Sequence, residues 1–198
     1  MLKRIDSRKA RKKKFLMGGV LVLLMVVSML GIIVGNRGSE KWEYNGFKFT
    51  RTENVFVTKI GEQRIGFQSL PQELLYLEHP NSLNEKLLSP VMYLTFDPDS
   101  ELQNLLYIDS VRRDLQITIS SFVIDGITKE SDTYFLPKIT CDNATQFMPV
   151  IYFNISTETS IREENGCIIM NGYTEDFFRF RDLILYVHYG VMNDEEEQ

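Results

Sequence analysis

Cysteine and histidine are scarce in this chain, with two of each among 198 residues. Cys141 and Cys167 stand far apart, so the close CxxC spacing of a redox-active dithiol is missing. Neither His79 nor His188 has a second ligand three or four residues away, which removes support for a zinc site. No GxSxG elbow, Walker loop or dinucleotide fingerprint occurs. The sequence therefore offers no convergent set of catalytic residues and no cofactor site. Internal repeats and low-complexity linkers are absent too, which favours one folded body over an array.

Charge is absent from one long stretch. Phe15 to Val34 is a run of twenty residues without Asp, Glu, Lys or Arg. As a helix it would extend about 30 Å, the thickness of a bilayer's hydrocarbon core. A helix also satisfies its own backbone hydrogen bonds, which lipid cannot do for it. Before it lies a fourteen-residue head with eight basic residues (Lys3, Arg4, Arg8, Lys9, Arg11, Lys12, Lys13, Lys14) against Asp6 alone. The positive-inside rule holds such a head in the cytoplasm. The pattern predicts a basic cytoplasmic head over 1–14 and a transmembrane helix over 15–35. An extracytoplasmic domain over 36–192 and an acidic tail over 193–198 follow. The protein is thus expected in the cell membrane as a single-pass signal-anchor chain.

Two other readings compete for the same segment. A cleaved signal peptide has an apolar region of roughly 7–15 residues and a small-x-small exit. This run is longer, and Gly31-Ile32-Ile33-Val34-Gly35-Asn36 lacks that exit. The head could also be a nucleic-acid patch. Its place against the span makes anionic lipid the simpler partner, at about 1 kcal/mol per basic residue near the surface. Charge beyond the head points the same way. The head is +8 and −1, or +7, and the whole chain is −5, so residues 15–198 carry −12. A nucleic-acid partner would need a basic face, and none is expected.

The remaining length suits one domain. Phe47–Thr50, Val55–Ile60 and Arg64–Phe67 alternate apolar and polar residues, with Asn45-Gly46 a turn-forming pair. Pro71 to Leu77 reads as one or two helical turns. Val91–Phe96 reads as a buried strand, closed by Asp97-Pro98, which together resemble a helix cap and first position. Leu102, Leu105, Leu106, Ile108, Val111 and Leu115 recur at helical spacing, and 116–124 is β-branched, giving a β–α–β unit. Strands over 149–155 and 166–170 precede a largely apolar helix over 175–189, capped by Thr174, with a narrow polar stripe of Glu175, Arg179 and Asp182. The predicted fold class is α+β, with mixed α/β possible: an open sheet and at least two packing helices.

Few motifs carry chemistry. Cys141 and Cys167 lie on the expected outer side, where disulfides persist, and are read as a structural pair; two buried thiols are the alternative. Asn143-Ala144-Thr145 and Asn154-Ile155-Ser156 match the N-glycosylation acceptor pattern, Asn143 in the more favourable loop. Asp97-Pro98-Asp99 resembles the DxD signature with which membrane-bound glycosyltransferases hold Mg or Mn against a nucleotide sugar. Both aspartates are equally explained as helix-start residues. Gly31 and Gly35 form a small-xxx-small element through which two spans could dimerise.

Tyr93–Pro98, Thr140–Thr145, Gly166–Met170 and the closing Asp182–Tyr186 to Gly190–Met192 are similar to an uncharacterised group of short, membrane-anchored archaeal proteins. That resemblance implies an archaeal surface setting, an anchor and paired cysteines, and no activity. The expected function is a non-enzymatic extracytoplasmic domain that binds a protein partner or organises an envelope complex. A metal-dependent transferase using Asp97 and Asp99, or a substrate-binding subunit of a transporter, are the alternatives.

Overall fold

The computed structural model describes residues 17–29 and 41–192, which fall in two separate compact units. In the first, residues 17–29 form helix α1. Among the described residues no helix is long and apolar enough to cross a membrane. The rest of the expected span (15, 16 and 30–35), the basic head, Gly31 with Gly35, and the acidic tail lie outside the described residues.

The second unit is mixed α+β, and it carries two sheets where the sequence suggested one. Its first part is an antiparallel meander of β1 (Lys41–Tyr44), β2 (Phe47–Thr52), β3 (Val55–Ile60) and β4 (Gln63–Phe67), in that spatial order. The β1–β2 turn places Asn45 and Gly46 at φ 45° and 77°. A two-residue hairpin turn needs both positive, which Asn-Gly tolerates best. One face of the meander delivers Phe49, Ile65 and Phe67 to the core.

A 3-10 turn (Pro71–Leu74) and the short helix α2 (Ser82–Leu87) lead to the second sheet. It contains β5 (Val91–Phe96), β6 (Phe122–Ile127), β7 (Val150–Ile155), β8 (Ser160–Glu164) and β9 (Cys167–Gly172). Their order is β6-β5-β7-β9-β8, parallel except where the edge strand β8 runs antiparallel to β9. Helix α3 (Leu102–Thr118) makes the β5–β6 crossover, and α4 (Asp176–His188) follows β9. The parallel pairing confirms the β–α–β unit.

Two boundaries differ from expectation. Helix α3 starts at Leu102 rather than Pro98, because Asp97 folds back in a turn: its Oδ1 accepts the Asp99 amide at 2.9 Å. The helix then continues through the β-branched 116–118 segment, so β6 begins only at Phe122. Thr174 does not cap α4. It sits at φ 47°, its amide donates to Asn104 Oδ1 at 2.8 Å, and Glu175 occupies the cap.

Helix α4 joins the two sheets. Tyr186 stacks on Phe67 of the meander with centroids 4.1 Å apart, while Phe177 meets Phe153 of β7 at 5.8 Å. Phe177, Phe180, Leu183, Ile184 and Leu185 are fully buried. Each such side chain contributes roughly 1.5–3 kcal/mol by leaving water, so the expectation that this helix anchors the core holds.

The opposite face of the five-stranded sheet carries a smaller cluster of Ile139, Val150, Cys167 and Ile169. The 128–149 connection crosses there. Ile139 lies over Gly126, where a Cβ would come within 2.6 Å of the Ile139 Cβ, and Thr95 Oγ1 donates to the Ile139 carbonyl at 2.7 Å. Glycine is required at 126 by close approach, not by its backbone angles.

Candidate functional site

The free edge of β4 faces α3 across an open groove. Among the described residues strand β4 pairs only with β3, and the pair Ile60↔Gln63 closes the two-residue turn at Gly61-Glu62. A turn-closing pair exchanges its hydrogen bonds, and pairing then alternates along the ladder. Arg64 and Gly66 consequently direct their backbone N–H and C=O away from β3. One cavity of about 630 Å³ is lined by Val55, Gly66, Gln68, Leu106, Phe178 and neighbouring α3 residues. A second, of about 380 Å³, is lined by Arg64, Gly66, Asp114, Ile117, Thr118 and Arg181. Gly66, Asp114, Ile117 and Arg181 line both, so the two form one continuous groove.

Arg181 forms its floor. The side chain lies over the Phe67 ring at 5.6 Å, and Nη1 donates to the Gly66 carbonyl and to Asp182 Oδ1, each at 2.7 Å. Nε donates to Asp114 Oδ2 at 2.5 Å. Asp182 is completely buried, and its Oδ2 accepts the Gln68 and Ser69 amides at 2.7 and 2.8 Å. Burial pushes its carboxyl up to about 6, against the opposing pull of Arg181 and the two amides. Tyr186 completes the knot by donating to the Ser69 carbonyl at 2.6 Å, and burial drives its hydroxyl well above the usual phenol range.

The sequence reading placed Asp182 on a polar stripe and did not single out Arg181. The missed signal is spacing: Arg181 falls four residues after Phe177 and three before Ile184, on the apolar side of α4. A charge there must be paired or neutralised.

A second network fastens the 128–149 connection to α3. Arg112 binds Asp109 at 2.9 Å and Asp125 at 2.6 Å, and Tyr134 donates to the other Asp109 oxygen at 2.9 Å. Arg112 also lies over the Phe96 and Tyr134 rings, at 5.1 and 5.8 Å. Burial, then Asp109, raises the Tyr134 hydroxyl to about 12. Burial also raises the Asp125 carboxyl, although Arg112 and Gln116 favour its ionised form.

Asp97 and Asp99 stand where β5 meets α3, and Lys129 binds both. Its ammonium lies 3.0 Å from Asp97 and 2.9 Å from Asp99, and the hydrogen bonds it donates to Asp99 and then Asp97 raise its pKa. A metal ion would have to displace that cation. Among the described residues no group of three or more metal-ligating side chains forms.

Cys141 and Cys167 are joined as expected. Their sulfurs are 2.07 Å apart and their α-carbons 5.2 Å, within the disulfide range. The bridge fastens the connection to the first residue of β9. Asn143 is exposed in the 3-10 turn Cys141–Asn143, and its Oδ1 accepts the Thr140 amide at 2.8 Å. Asn154 is half-buried and its Nδ2 donates to Asn171 at 2.7 Å, so a glycan there would break a chain that continues from Asn171 to Ser160. His188 is held from both sides, by the Leu87 carbonyl at 3.1 Å from Nδ1 and the Ser120 hydroxyl at 3.2 Å from Nε2.

No protein-family model, curated protein or solved structure matches this chain.

Proposed function

We propose that this protein is a single-pass, membrane-tethered domain that works outside the cytoplasm by binding a protein partner or organising an envelope complex. The observation that carries the tether is α1. Its large apolar side chains, from Met17 to Met29, are between 48% and 71% exposed, with Val20 to Val27 apolar without a break. Soluble proteins rarely expose a contiguous apolar surface of that kind, whereas lipid receives it at no cost. The charge-free run beyond both ends of α1 and the basic head before it support the same reading. So does the Cys141–Cys167 pair, because disulfides persist in oxidising compartments. The resemblance to short membrane-anchored archaeal proteins fits this surface setting. The buried charged groups described above are tied in structural networks, which favours binding over catalysis.

Carbonate extraction of membranes and labelling of introduced cysteines test the reading. Full-length chain should remain in the carbonate pellet. An impermeant thiol reagent should label Thr157→Cys on intact cells and Ser7→Cys only after lysis. Release into the carbonate supernatant would remove the tether. Labelling of Ser7→Cys but not Thr157→Cys on intact cells would reverse its orientation.

A further inference from the structure

We infer that the groove between β4 and α3 receives an extended peptide bearing acidic side chains, which joins the meander as its fifth strand through the free edge of β4. This rests on the binding-module reading and names the chemistry of its partner; it does not depend on the tether.

Three observations converge on it. The first is the backbone. Arg64 presents an outward N–H and C=O, and Gly66 an outward N–H, while only the Gly66 carbonyl is taken, by Arg181. Such an edge is normally blocked by a charge, a proline or a covering element; here Arg181 occupies one carbonyl and leaves three outward groups open. Here the covering element, α3, stands off across a cavity.

The second is shape. With α3 lining the far side of the groove, the occupant we infer is a single extended chain lying between strand and helix rather than a second sheet. Its main chain would meet Arg64 and Gly66, and alternate side chains would reach Leu106, Ile117 and Phe178. Leu106 and Ile117 are 62% and 80% exposed, apolar surface that an isolated helix face has no reason to present to water.

The third is charge. Around the groove, Arg181 is neutralised by Asp114 and Asp182, and Asp109 by Arg112. Arg64 and Arg113 remain, both exposed and neither in an ion pair among the described residues. The exposed charges of the groove not already held in an ion pair are therefore these two cations. Main-chain pairing supplies affinity in this mode of recognition and side chains supply the choice. That choice here favours alternating acidic and apolar residues.

The probes are two capped, fluorescein-labelled hexapeptides, one alternating glutamate and valine, the other lysine and valine, titrated against detergent-solubilised full-length chain. The glutamate peptide should bind saturably, weaken with salt, and slow amide exchange at Arg64 and Gly66; the lysine peptide should not. Arg64→Pro removes one outward donor and one of the two unpaired cations without removing a β3–β4 ladder hydrogen bond, so it should weaken binding at least tenfold at an unchanged melting temperature, and Arg64→Ala, which removes the cation alone, should weaken it less. Arg113→Glu lies on an exposed helix face and needs no refolding of the strand. It should weaken the glutamate peptide by a similar factor and admit the lysine peptide. The absence of saturable binding by the glutamate peptide would overturn the inference, as would equal binding of both peptides. Undiminished binding to a folded Arg64→Pro chain would overturn the groove while leaving a binding module with its site elsewhere. None of these outcomes bears on the tether, which carbonate extraction reads separately.

Discussion

Removing the Asp182 carboxylate should cost far more than the loss of a surface charge. Asp182→Ala leaves the Gln68 and Ser69 amides without their acceptor and strips one carboxylate from a buried guanidinium. Breaking one side of a buried ion pair typically costs about 3–5 kcal/mol, because the surviving partner stays desolvated. Asp114 still compensates Arg181, which places the expected loss near the lower end, about 3 kcal/mol. Arg181→Met combined with Asp182→Ala should destabilise less than the sum of the single changes, with a coupling of about 1–3 kcal/mol. Urea unfolding of the full-length chain, wild type against both singles and the double, measures each quantity. The pH dependence gives an independent check. The folded carboxyl titrates near 6 and the unfolded one near 3.8, so the folded state holds the proton more tightly. The contribution of this group is fully present below pH 3.8 and is lost as pH rises through 6. The stability advantage of wild type over Asp182→Ala should therefore grow by about 1 kcal/mol between pH 7 and pH 5. A loss under 1 kcal/mol at pH 7, or strict additivity in the double mutant, would refute the reasoning.

Three further outcomes are expected. Cys141→Ser and Cys167→Ser should each lose about 3.5 kcal/mol in denaturant unfolding, the chain-entropy value for cysteines 26 residues apart, and the double mutant little more. Gly126→Ala drives a Cβ into the Ile139 side chain at 2.6 Å and should destabilise by about 1–3 kcal/mol; a melting temperature equal to wild type would contradict the packing. Burial holds the folded His188 below its ordinary 6.5, so its contribution is present above pH 6.5 and is lost as pH falls through its folded value. His188→Asn can keep a donor toward the Leu87 carbonyl without titrating, so its stability should fall less than that of wild type from pH 7 to pH 5.

The parts of this fold that sequence made legible are those whose periodicity answers to a single buried face. The alternation in β2 to β4, the dense apolar run of β5 and the helical spacing of α3 are all of that kind. The start of α3 misled because Asp97-Pro98 carries the chemistry of a helix entry, while the carboxylates turn instead to Lys129, thirty residues away by the shorter of its two pairings. Helix α2 and strand β8 were not foreseen. Six residues of Ser82–Leu87 hold too few turns to show a period, and Ser160–Glu164 is an edge strand whose charged residues read as loop. The Cys141–Cys167 pairing followed from compartment and count. The groove could not follow from sequence at all, since it exists only where a strand edge and a helix more than thirty residues apart come to face each other.

The position of α4 sets the order in which the domain can be completed. It is the last of the described elements, yet Asp182 bonds to backbone 113 and 114 residues earlier, and Asn45 reaches the Val191 carbonyl across 146. Contacts of that span form late, after the entropy of closing a long loop has been met. A chain emerging from its N-terminus can assemble the meander and the β5–α3–β6 unit, but both sheets present bare apolar faces until residues 176–188 arrive. Completion of residues 176–188, rather than synthesis of either sheet, would then be the moment at which these apolar faces are covered, and premature termination near residue 175 would leave an aggregation-prone product.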